Sequence, residues 1–413
     1  MKLIYNRFTN FTTKIIGLDT SYLAKNSFLG FIQQVVGVVC GLTIIYVFGH
    51  FGSKLLFGQY NYILSIFGLL GLVALPGLDS ALIRSVAKGH DHAFIDGIMS
   101  KIRYSLLSVP IFVGFIIYHI YLKSEYEIAL SLTLIALFFP LLTSLSLFNE
   151  FLTAKKKFVP LTILALVSSI LTAILLCYAI YFTHNLIVIT LMYIISTLAP
   201  SFAGLWYALK MKRNKIKDKN LIKYGKFLSS LNFITWATGY AGQILLGSLL
   251  GLEKLAIYSA ANRFPVSIQK NIFVFYKPIT SKLAYQSTND HKRTIEKHAL
   301  KLLLIGAILS VLLYFLSPVL ITFFFTTSYK EAINYSRLLS LSIFPLPLSW
   351  VFSDILLYQQ KKREQVILSI YPQIAKLILY IIFIPIWGIN GLVFAFVAER
   401  YISLCLSYYL VRK

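Results

Sequence analysis

Charge is scarce in this chain, and acidic residues are the scarcest part of it. The 413 residues include 15 Asp and Glu against 39 Lys and Arg, and charged residues make up only 13% of the sequence. Hydrophobic residues reach 58%, and the mean hydropathy is +0.75. A soluble domain carries about 25% charged and roughly 45–50% apolar residues. The chain therefore lacks the polar surface of a soluble protein, and we predict a membrane protein.

Cysteine and the common nucleotide and metal motifs are also missing or rare. Cys40, Cys177 and Cys405 lie inside apolar runs, at a spacing that fits neither a metal site nor a disulfide framework. A Walker motif and an Asp-x-Asp-like metal site are absent, which argues against ATP hydrolysis and nucleotide-sugar transfer. No zinc or RNA-binding motif supports a nucleic-acid partner for the net charge of +24. We expect no cofactor, no metal and no nucleic acid.

Long apolar runs are what the sequence has in quantity. A run of about 20 residues crosses roughly 30 Å of hydrocarbon as a helix, and lipid forces every backbone amide to be satisfied internally. The first run is too long for a signal peptide and lacks a small-residue cleavage site, so we expect it to stay as the first span. The predicted spans are 27–49, 57–82, 103–122, 128–152, 158–182, 185–209, 225–250, 253–276, 299–325, 332–358, 364–386 and 389–411.

The basic residues alternate between the loops. Thirty of the 39 fall on one set of alternate loops and on both termini, whereas the other set holds only Lys54, Lys123, Lys254 and Lys330. Cytoplasmic loops carry the excess of Lys and Arg, and such residues also contact anionic lipid headgroups. We therefore predict a multi-pass protein of the bacterial inner (cytoplasmic) membrane with both termini cytoplasmic.

A hydrophilic, basic segment at 211–223 divides the spans into two sets of six, at 1–210 and 224–413. The two halves also share a pattern. When Tyr60 is aligned with Tyr258, Arg84 falls opposite Lys282, each 24 residues further along the chain. An even number of spans in each half indicates a parallel repeat, related by an axis along the membrane normal.

Three motifs stand out at the ends of predicted spans. They are Phe57-Gly-Gln-Tyr60, Gly77-Leu-Asp-Ser-Ala-Leu-Ile-Arg-Ser-Val-Ala87 and Tyr258-Ser-Ala-Ala-Asn-Arg263. These motifs resemble those of the O-antigen (Wzx-type) oligosaccharide-lipid flippases, which are related to the multidrug and toxin extrusion (MATE) exporters. Length and layout extend the resemblance over nearly the whole chain. Two departures are Ser53-Lys54, where a Pro or an acidic residue is common in the family, and Leu75-Pro76 before Gly77.

The resemblance implies an all-α membrane fold, with two six-helix lobes in a V shape around a central cavity. It also implies alternating access, by which an undecaprenyl-pyrophosphate-linked oligosaccharide moves from the cytoplasmic to the periplasmic leaflet. A polysaccharide polymerase and chain-length proteins are then candidate partners. No enzymatic activity is implied.

Charged residues inside apolar spans are the first candidates for a substrate path, because each costs at least about 2.5–3.5 kcal/mol to insert. Arg263 lies near mid-depth of the eighth span, and Lys270 follows seven residues later on the same helical face. Together they predict a cationic track for pyrophosphate, in which Arg grips two oxygens and Lys acts as a mobile charge. The alternative is that Arg263 pairs with an acid and Lys270 reaches the inner headgroups.

Four charged residues of the last three spans are candidates for gating or ion coupling. Lys376 and Asp354 lie on neighbouring spans and suggest an ion pair, with direct substrate contact as the alternative. Glu399 and Arg400 are adjacent, so we expect them to point to different sides of the last span and to pair with other helices.

Further polar residues complete the candidate set. Arg84 either recruits the pyrophosphate or only marks the cytoplasmic side, and Glu150 is expected to pair with the nearby Lys155–Lys157 cluster. Amides on corresponding spans suit sugar hydroxyls or bonds between helices equally well. They are Gln33, Gln34, Asn232 and Gln243.

Two other functions remain open. A multidrug exporter shares the expected architecture, but the charges within the spans lean basic and the first span has no acid, which favours an anionic cargo. A polymerase needs a sizeable outer loop, and every predicted outer loop is short.

Overall fold

The computed structural model describes the backbone of residues 21–280 and 288–412 and the side chains of 28–271 and 299–412. Within those ranges the regular structure is helical and contains no β-strand. The predicted all-α class is therefore confirmed. Lys282, the expected counterpart of Arg84, and the basic N-terminal residues before 21 lie outside the described residues.

Sixteen α-helices follow one another in the described part of the chain. They are α1 (Ser21–Phe51), α2 (Lys54–Leu70), α3 (Leu78–Ala87), α4 (Ala93–Leu106), α5 (Val109–Ile117), α6 (Tyr126–Leu145), α7 (Phe148–Ala154), α8 (Phe158–Phe182), α9 (Leu186–Met211), α10 (Leu221–Leu250), α11 (Leu252–Thr280), α12 (Thr288–Phe325), α13 (Lys330–Ser340), α14 (Leu346–Tyr358), α15 (Lys362–Trp387) and α16 (Ile389–Arg412). A π-helix at Tyr118–Leu122 extends α5, and a 3-10 turn at Thr327–Tyr329 precedes α13.

Several predicted spans are two helices rather than one. The predicted span 57–82 is divided between α2 and α3, and the span 332–358 is divided between α13 and α14. Pro76 lies in the first break, and Pro345 immediately precedes α14. Proline lacks the amide hydrogen that a continuing helix needs and restricts the residue before it. Both breaks therefore have a local cause in the sequence.

Within residues 28–271 and 299–412, eight helical segments are long and apolar enough to cross a membrane, so the chain is a multi-pass membrane protein. The predicted total of twelve spans stays a prediction. The eight segments are Phe28–Phe51, Ala93–Leu122, Tyr126–Ala154, Phe158–Phe182, Leu186–Met211, Ala299–Phe325, Lys362–Trp387 and Ile389–Arg412.

The chain divides into two compact units. The first comprises Met1–Gly52 and Leu70–Ser230, and the second comprises Ser53–Leu69 and Leu231–Lys413. Helix α2 therefore groups with the later helices, although the sequence analysis assigned it to the first half. The division into two lobes of six spans each stays a prediction.

The first unit packs its helix ends around one apolar cluster. Leu78 and Leu82 of α3, Phe94 of α4 and Phe151 of α7 are almost fully buried in it. The Phe94 and Phe151 rings lie 4.8 Å apart. Burying such side chains contributes about 1.5–3 kcal/mol each, so this cluster fixes the ends of the helices relative to one another.

The second unit is held together where α2 crosses the α10–α11 hairpin. Gly251, with φ of +96°, joins the two helices of the hairpin. Tyr62 of α2 is fully buried and its hydroxyl lies 2.8 Å from Ser248 Oγ. One turn further along α2, Ser65 donates a hydrogen bond of 2.8 Å to Gln243 Oε1. Polar bonds between helices thus accompany the apolar packing.

The segment between α9 and α10 is irregular but anchored. Asp91, which is fully buried, accepts hydrogen bonds from Lys155 Nζ at 2.6 Å and from the Arg213 backbone at 2.9 Å. Asn214 also donates to the Gly89 carbonyl at 2.9 Å. Burial alone would raise the pKa of Asp91, but the bonds from Lys155 and Arg213 hold this pKa below its ordinary value.

Asp91→Ala is expected to release this segment, because two hydrogen bonds to a buried carboxylate disappear together. Bonds to charged groups contribute about 1.5–3 kcal/mol, so tryptic cleavage after Arg213 and Lys215 should become about tenfold faster or more. Asp96→Ala is the matched control, because Asp96 makes only a 3.7 Å contact with His92. Equal cleavage rates in wild type and Asp91→Ala would contradict the role given to Asp91.

Candidate functional site

A cavity of about 350 Å³ opens within the second unit, between α10, α11, α15 and α16. Its volume falls in the range of about 300–1,000 Å³ typical of ligand pockets. Basic, amide and aromatic side chains share its wall. They are Trp236, Tyr240 and Gln243 of α10, Tyr258, Asn262 and Lys270 of α11, Lys376 and Tyr380 of α15, and Phe396 of α16, with Gly239, Gly242 and Val266 between them.

Glycines of α10 make room for this cavity. A Cβ at Gly239 would meet no atom within 4 Å, so this position opens onto free space. A Cβ at Gly242 would lie 2.8 Å from the Tyr380 ring, so the glycine lets α15 bring that ring close to α10. The cavity wall is therefore a property of the α10 sequence as well as of the helix packing.

Two lysines reach the cavity from different helices. Lys270 is exposed, whereas Lys376 is only 5% exposed. The Lys376 ammonium donates one hydrogen bond, of 3.3 Å, to Gln373 Oε1, and it is the single hydrogen bond that the group makes to the described residues. An ammonium has three donors. Lys376 therefore faces the cavity with hydrogen-bond donors that the protein does not use. The oxygen atoms of a ligand fit such a position.

Behind Lys376 lies a chain of polar contacts that reaches Glu399. Gln373 Nε2 donates to Glu399 Oε1 at 3.0 Å, and its Oε1 also accepts a bond of 2.6 Å from Thr238. Glu399 is 2% exposed. The Gln373 amide thus links the ammonium of Lys376 to a buried carboxylate.

Arg400 continues the chain of contacts to α11. Its Nη2 donates to Gln269 Oε1 at 3.3 Å, and its Nε lies 3.4 Å from Glu399 Oε2. The two adjacent side chains of Glu399 and Arg400 therefore meet at their charged ends. Glu399 also bonds to Gln373 of α15, whereas Arg400 bonds to Gln269 of α11, so each of the two residues contacts a different helix.

The expected pair between Lys376 and Asp354 does not form. Lys376 contacts Gln373 and the rings of Tyr380 and Phe396, and Asp354 is not among its partners. Asp354 is half-buried on α14. Charge complementarity between two spans was the only basis of the prediction, and in the structure the carboxylate linked to Lys376, through the Gln373 amide, is that of Glu399.

Two further candidates of the second unit lie outside the cavity wall. Arg263 is exposed on α11, two turns before Lys270, and Tyr60 of α2 is its electrostatic neighbour. Within the described residues no carboxylate pairs with Arg263. Asn232 is exposed on α10, one turn before Trp236. Of the predicted residues, the structure therefore brings Gln243, Lys270 and Lys376 into the wall.

The other predicted substrate residues belong to the first unit. Gln33 is half-buried and Gln34 is exposed, both on α1. Arg84 is exposed near the end of α3, with its guanidinium 4.8 Å from the Tyr224 ring. A cation over an aromatic face contributes about 0.5–1 kcal/mol at an exposed site, so this contact orients Arg84 without burying it.

The first unit also corrects two expectations about charge. Lys101, which precedes the predicted span 103–122, is buried on α4 and lies 2.5 Å from Asp79 Oδ1. Glu150 was expected to pair with the Lys155–Lys157 cluster, but its electrostatic neighbours are Asp79 and Lys101, and Lys155 pairs with Asp91. Helix α4 begins ten residues before the predicted span, which moves Lys101 into the helix.

Apart from Gln243, the uncharged residues of the site were not predicted from the sequence. Gln373 and Gln269 interrupt apolar stretches, and Gln373 precedes Lys376 by three residues, on the same helical face. That spacing is a signal that could have identified Gln373. The aromatic wall offered none, because aromatic residues make up 15% of the chain and lie in most of its helices.

The solved structures most useful for comparison are transporters. An inward-facing multidrug resistance MATE family transporter of the MOP superfamily matches with a TM-score of 0.71 and 15% identity, over 92% of this chain and 94% of that one. An outward-facing MATE family transporter matches with a TM-score of 0.62 and 16% identity, over 95% of both chains. A MOP superfamily transporter from Pyrococcus furiosus matches with a TM-score of 0.61 and 14% identity, over 97% of this chain and 96% of that one. Its binding pocket is described as having reverse polarity. Identities this low establish the MATE-like fold alone.

Sequence comparison identifies the family. No curated protein matches the chain. The sequence model of the family described as polysaccharide biosynthesis protein matches residues 23–284, which is more than half of the chain. The chain therefore belongs to the polysaccharide biosynthesis protein family, a family of membrane flippases with the MATE-like fold.

Proposed function

We propose that the protein translocates an undecaprenyl-pyrophosphate-linked oligosaccharide, an O-antigen or a related surface polysaccharide unit. Transport would run by alternating access from the cytoplasmic to the periplasmic leaflet of the bacterial inner membrane, with both termini cytoplasmic. The observation that carries this proposal is the buried ammonium of Lys376, which faces the cavity and has hydrogen-bond donors that no described residue uses. The family to which the chain belongs supports the same function.

The cavity chemistry suits the junction between a pyrophosphate and a sugar. Phosphate oxygens would accept hydrogen bonds from Lys376 and Lys270, and such charge-assisted bonds are the strong ones. Asn262 Oδ1 is buried without a partner among the described residues and lies in the cavity wall. A sugar hydroxyl would supply the donor that this oxygen lacks, and Trp236 and Tyr240 offer flat apolar faces to a sugar ring.

The predicted residues outside the cavity would act at other stages of transport. Arg263 and Arg84 are exposed cations, and we assign them to attracting the anionic headgroup along its path. Gln33, Gln34 and Asn232 would bond sugar hydroxyls beyond the first residue of the glycan. Asp354 would take part in gating. Anionic headgroups, the polysaccharide polymerase and chain-length proteins are the proposed partners.

Reconstitution tests the proposal directly. The purified protein is placed in liposomes that contain a labelled undecaprenyl-pyrophosphate glycan, and the label that reaches the opposite leaflet is measured over time. The expected result is transfer above that of protein-free liposomes. Glycan that stays in its original leaflet would refute the proposal, and export of cationic dyes by the same liposomes would favour an ion-coupled multidrug exporter.

Arg263→Ala is expected to reduce glycan transfer without reducing the amount of protein in the membrane. The side chain is exposed and has no acidic partner in the described residues, so its loss removes a charge from the path but little packing. A reduction of about tenfold corresponds to 1.4 kcal/mol. Lys254→Ala serves as the control, because Lys254 is an exposed basic residue at the start of the same helix. Normal transfer by Arg263→Ala would exclude the cationic track.

A further inference from the structure

The polar contacts behind the cavity wall form a continuous chain of three charged residues and two amides. From α15 to α11 the order is Lys376, Gln373, Glu399, Arg400 and Gln269. Gln269 in turn donates to Ser342 Oγ at 3.2 Å.

This chain of contacts is not balanced in charge. Lys376 and Arg400 are cations and Glu399 is the one carboxylate among the three, so the group carries one excess positive charge. Both cations face the ring of Phe396, at 5.6 and 5.3 Å from its centroid, and Phe396 lines the cavity. The excess positive charge therefore lies directly behind the cavity wall.

Hydrogen bonding is incomplete at the same place. Glu399 Oε2 and Arg400 Nε are buried and have no hydrogen-bond partner among the described residues, and their separation of 3.4 Å makes only an ion pair. Lys376 makes one long bond. Buried charged groups are normally both paired and fully bonded, and the spare donors of Lys376, which lines the cavity, are the ones that an anion there would satisfy.

We infer that Glu399 is a built-in counter-charge that weakens the grip of the cavity on a phosphate-type oxyanion, so that the oxyanion can be released. The inference rests on the proposed function and names the regulation of that same site. The carboxylate is tied to Lys376 through the Gln373 amide and to Arg400 by the ion pair. It therefore offsets the attraction of both cations for an anion in the cavity.

A transporter needs such an offset, because a site must bind its cargo well enough to take it up but weakly enough to let it go. Without the carboxylate, the positive charges of the buried Lys376, the half-buried Arg400 and the exposed Lys270 would act uncompensated on one oxyanion. Glu399 thus acts through Lys376 and Arg400 as a positioning and charge-setting residue rather than as a contact of the cargo.

The test is the affinity of the purified protein for inorganic pyrophosphate in detergent. Trp236 lies in the cavity wall, so its fluorescence reports binding, and Trp236→Phe identifies the signal. Glu399→Gln keeps the side-chain shape and is expected to tighten the Kd about tenfold, because one charge is removed from the short-range electrostatic balance. Arg400→Gln is expected to loosen the Kd by a similar factor. Glu399→Asp, which keeps the charge, should bind as wild type does.

Glu331→Gln is the matched control, since Glu331 is exposed at the start of α13 in the same unit. An unchanged or weaker Kd in folded Glu399→Gln, or an equally tightened Kd in Glu399→Asp, would overturn the inference. If Glu399→Gln does not fold, Arg400→Gln tests the inference instead. An unchanged or tighter Kd for pyrophosphate in Arg400→Gln would contradict the proposed offset between Glu399 and the two cations. Absence of pyrophosphate binding by the wild type would also overturn it.

Failure of this inference can be told apart from failure of the proposed function. Pyrophosphate binding in detergent requires no passage of a glycan across a membrane. A protein that moves no glycan but shows the opposite shifts in Glu399→Gln and Arg400→Gln would keep the charge-setting role and lose the cargo. A protein that moves the glycan but shows neither shift would lose only the role of Glu399.

Discussion

Lys376→Gln is expected to abolish most glycan transfer while the protein remains folded and present in the membrane. The ammonium of Lys376 is 5% exposed, lines the cavity and has hydrogen-bond donors left for a ligand. Truncating one partner of a buried, hydrogen-bonded charge pair costs about 2–5 kcal/mol. The affinity for the anionic cargo should therefore fall by about 30-fold or more, which corresponds to the lower end of that range.

The fold should tolerate this substitution because its neighbours keep other partners. Glu399 retains Gln373 and Arg400, and glutamine at 376 can still donate to the Gln373 amide. Initial rates in the liposome assay at several glycan concentrations are the measurement. Lys376→Arg, which keeps the charge, should retain more transfer than Lys376→Gln.

Lys330→Gln makes the same chemical change on an exposed lysine at the start of α13 and should transfer normally. Transfer by Lys376→Gln at the wild-type rate would show that the buried ammonium does not contact the cargo. Normal transfer by Lys330→Gln would show that replacing a lysine by glutamine does not by itself reduce transfer, so a loss in Lys376→Gln would be specific to that position.

Hydropathy predicted the helical segments well because apolar length is a strong physical requirement in lipid. The predicted span 158–182 has the same bounds as α8, and 364–386 lies within α15. The breaks between α2 and α3 and between α13 and α14 were missed, since apolar content continues through both. Pro76 and Pro345 lie at these breaks. Proline within a membrane span is often tolerated, so the presence of proline alone did not show whether a span is one helix or two.

The charged members of the site could be predicted, whereas their partners could not. Lys376, Glu399 and Arg400 stood out because charge is costly in an apolar helix. Pairing depends on which helix faces are in contact. Helix α15 packs against α16, so Lys376 is linked through the Gln373 amide to Glu399. Neutral amides such as Gln373 cost less to insert and therefore gave a weaker signal.

The motif Phe57-Gly-Gln-Tyr60, one of the three that carried the family resemblance, has a structural explanation within the second unit. Phe57 is 5% exposed and packs on the rings of Phe325 and Tyr329, with centroids 5.5 and 6.3 Å away. A Cβ at Gly58 would overlap the backbone carbonyl of Leu252 at the start of α11. Glycine at 58 is thus what allows α2 and α11 to touch backbone to backbone.

Gly58→Ala is accordingly expected to destabilise the protein strongly. The added methyl group meets backbone and not the end of a flexible side chain, so α2 or α11 has to move as a whole. Overpacking of this kind costs typically 1–3 kcal/mol and sometimes more, and we expect about 3 kcal/mol. The measurements are the thermal unfolding of the purified protein and its abundance in the membrane.

Gly37→Ala is the matched control, because Gly37 also lies within a long helix and a Cβ there would meet no atom within 4 Å. Alanine is favoured over glycine in a helix by about 0.5–1 kcal/mol, so this variant should be as stable as wild type or slightly more so. A pair of variants that differ only in position then separates helix propensity from close packing. Equal unfolding temperatures for Gly58→Ala and Gly37→Ala would show that the α2–α11 contact is looser than the structure indicates, and the motif would then need a role in transport instead of packing.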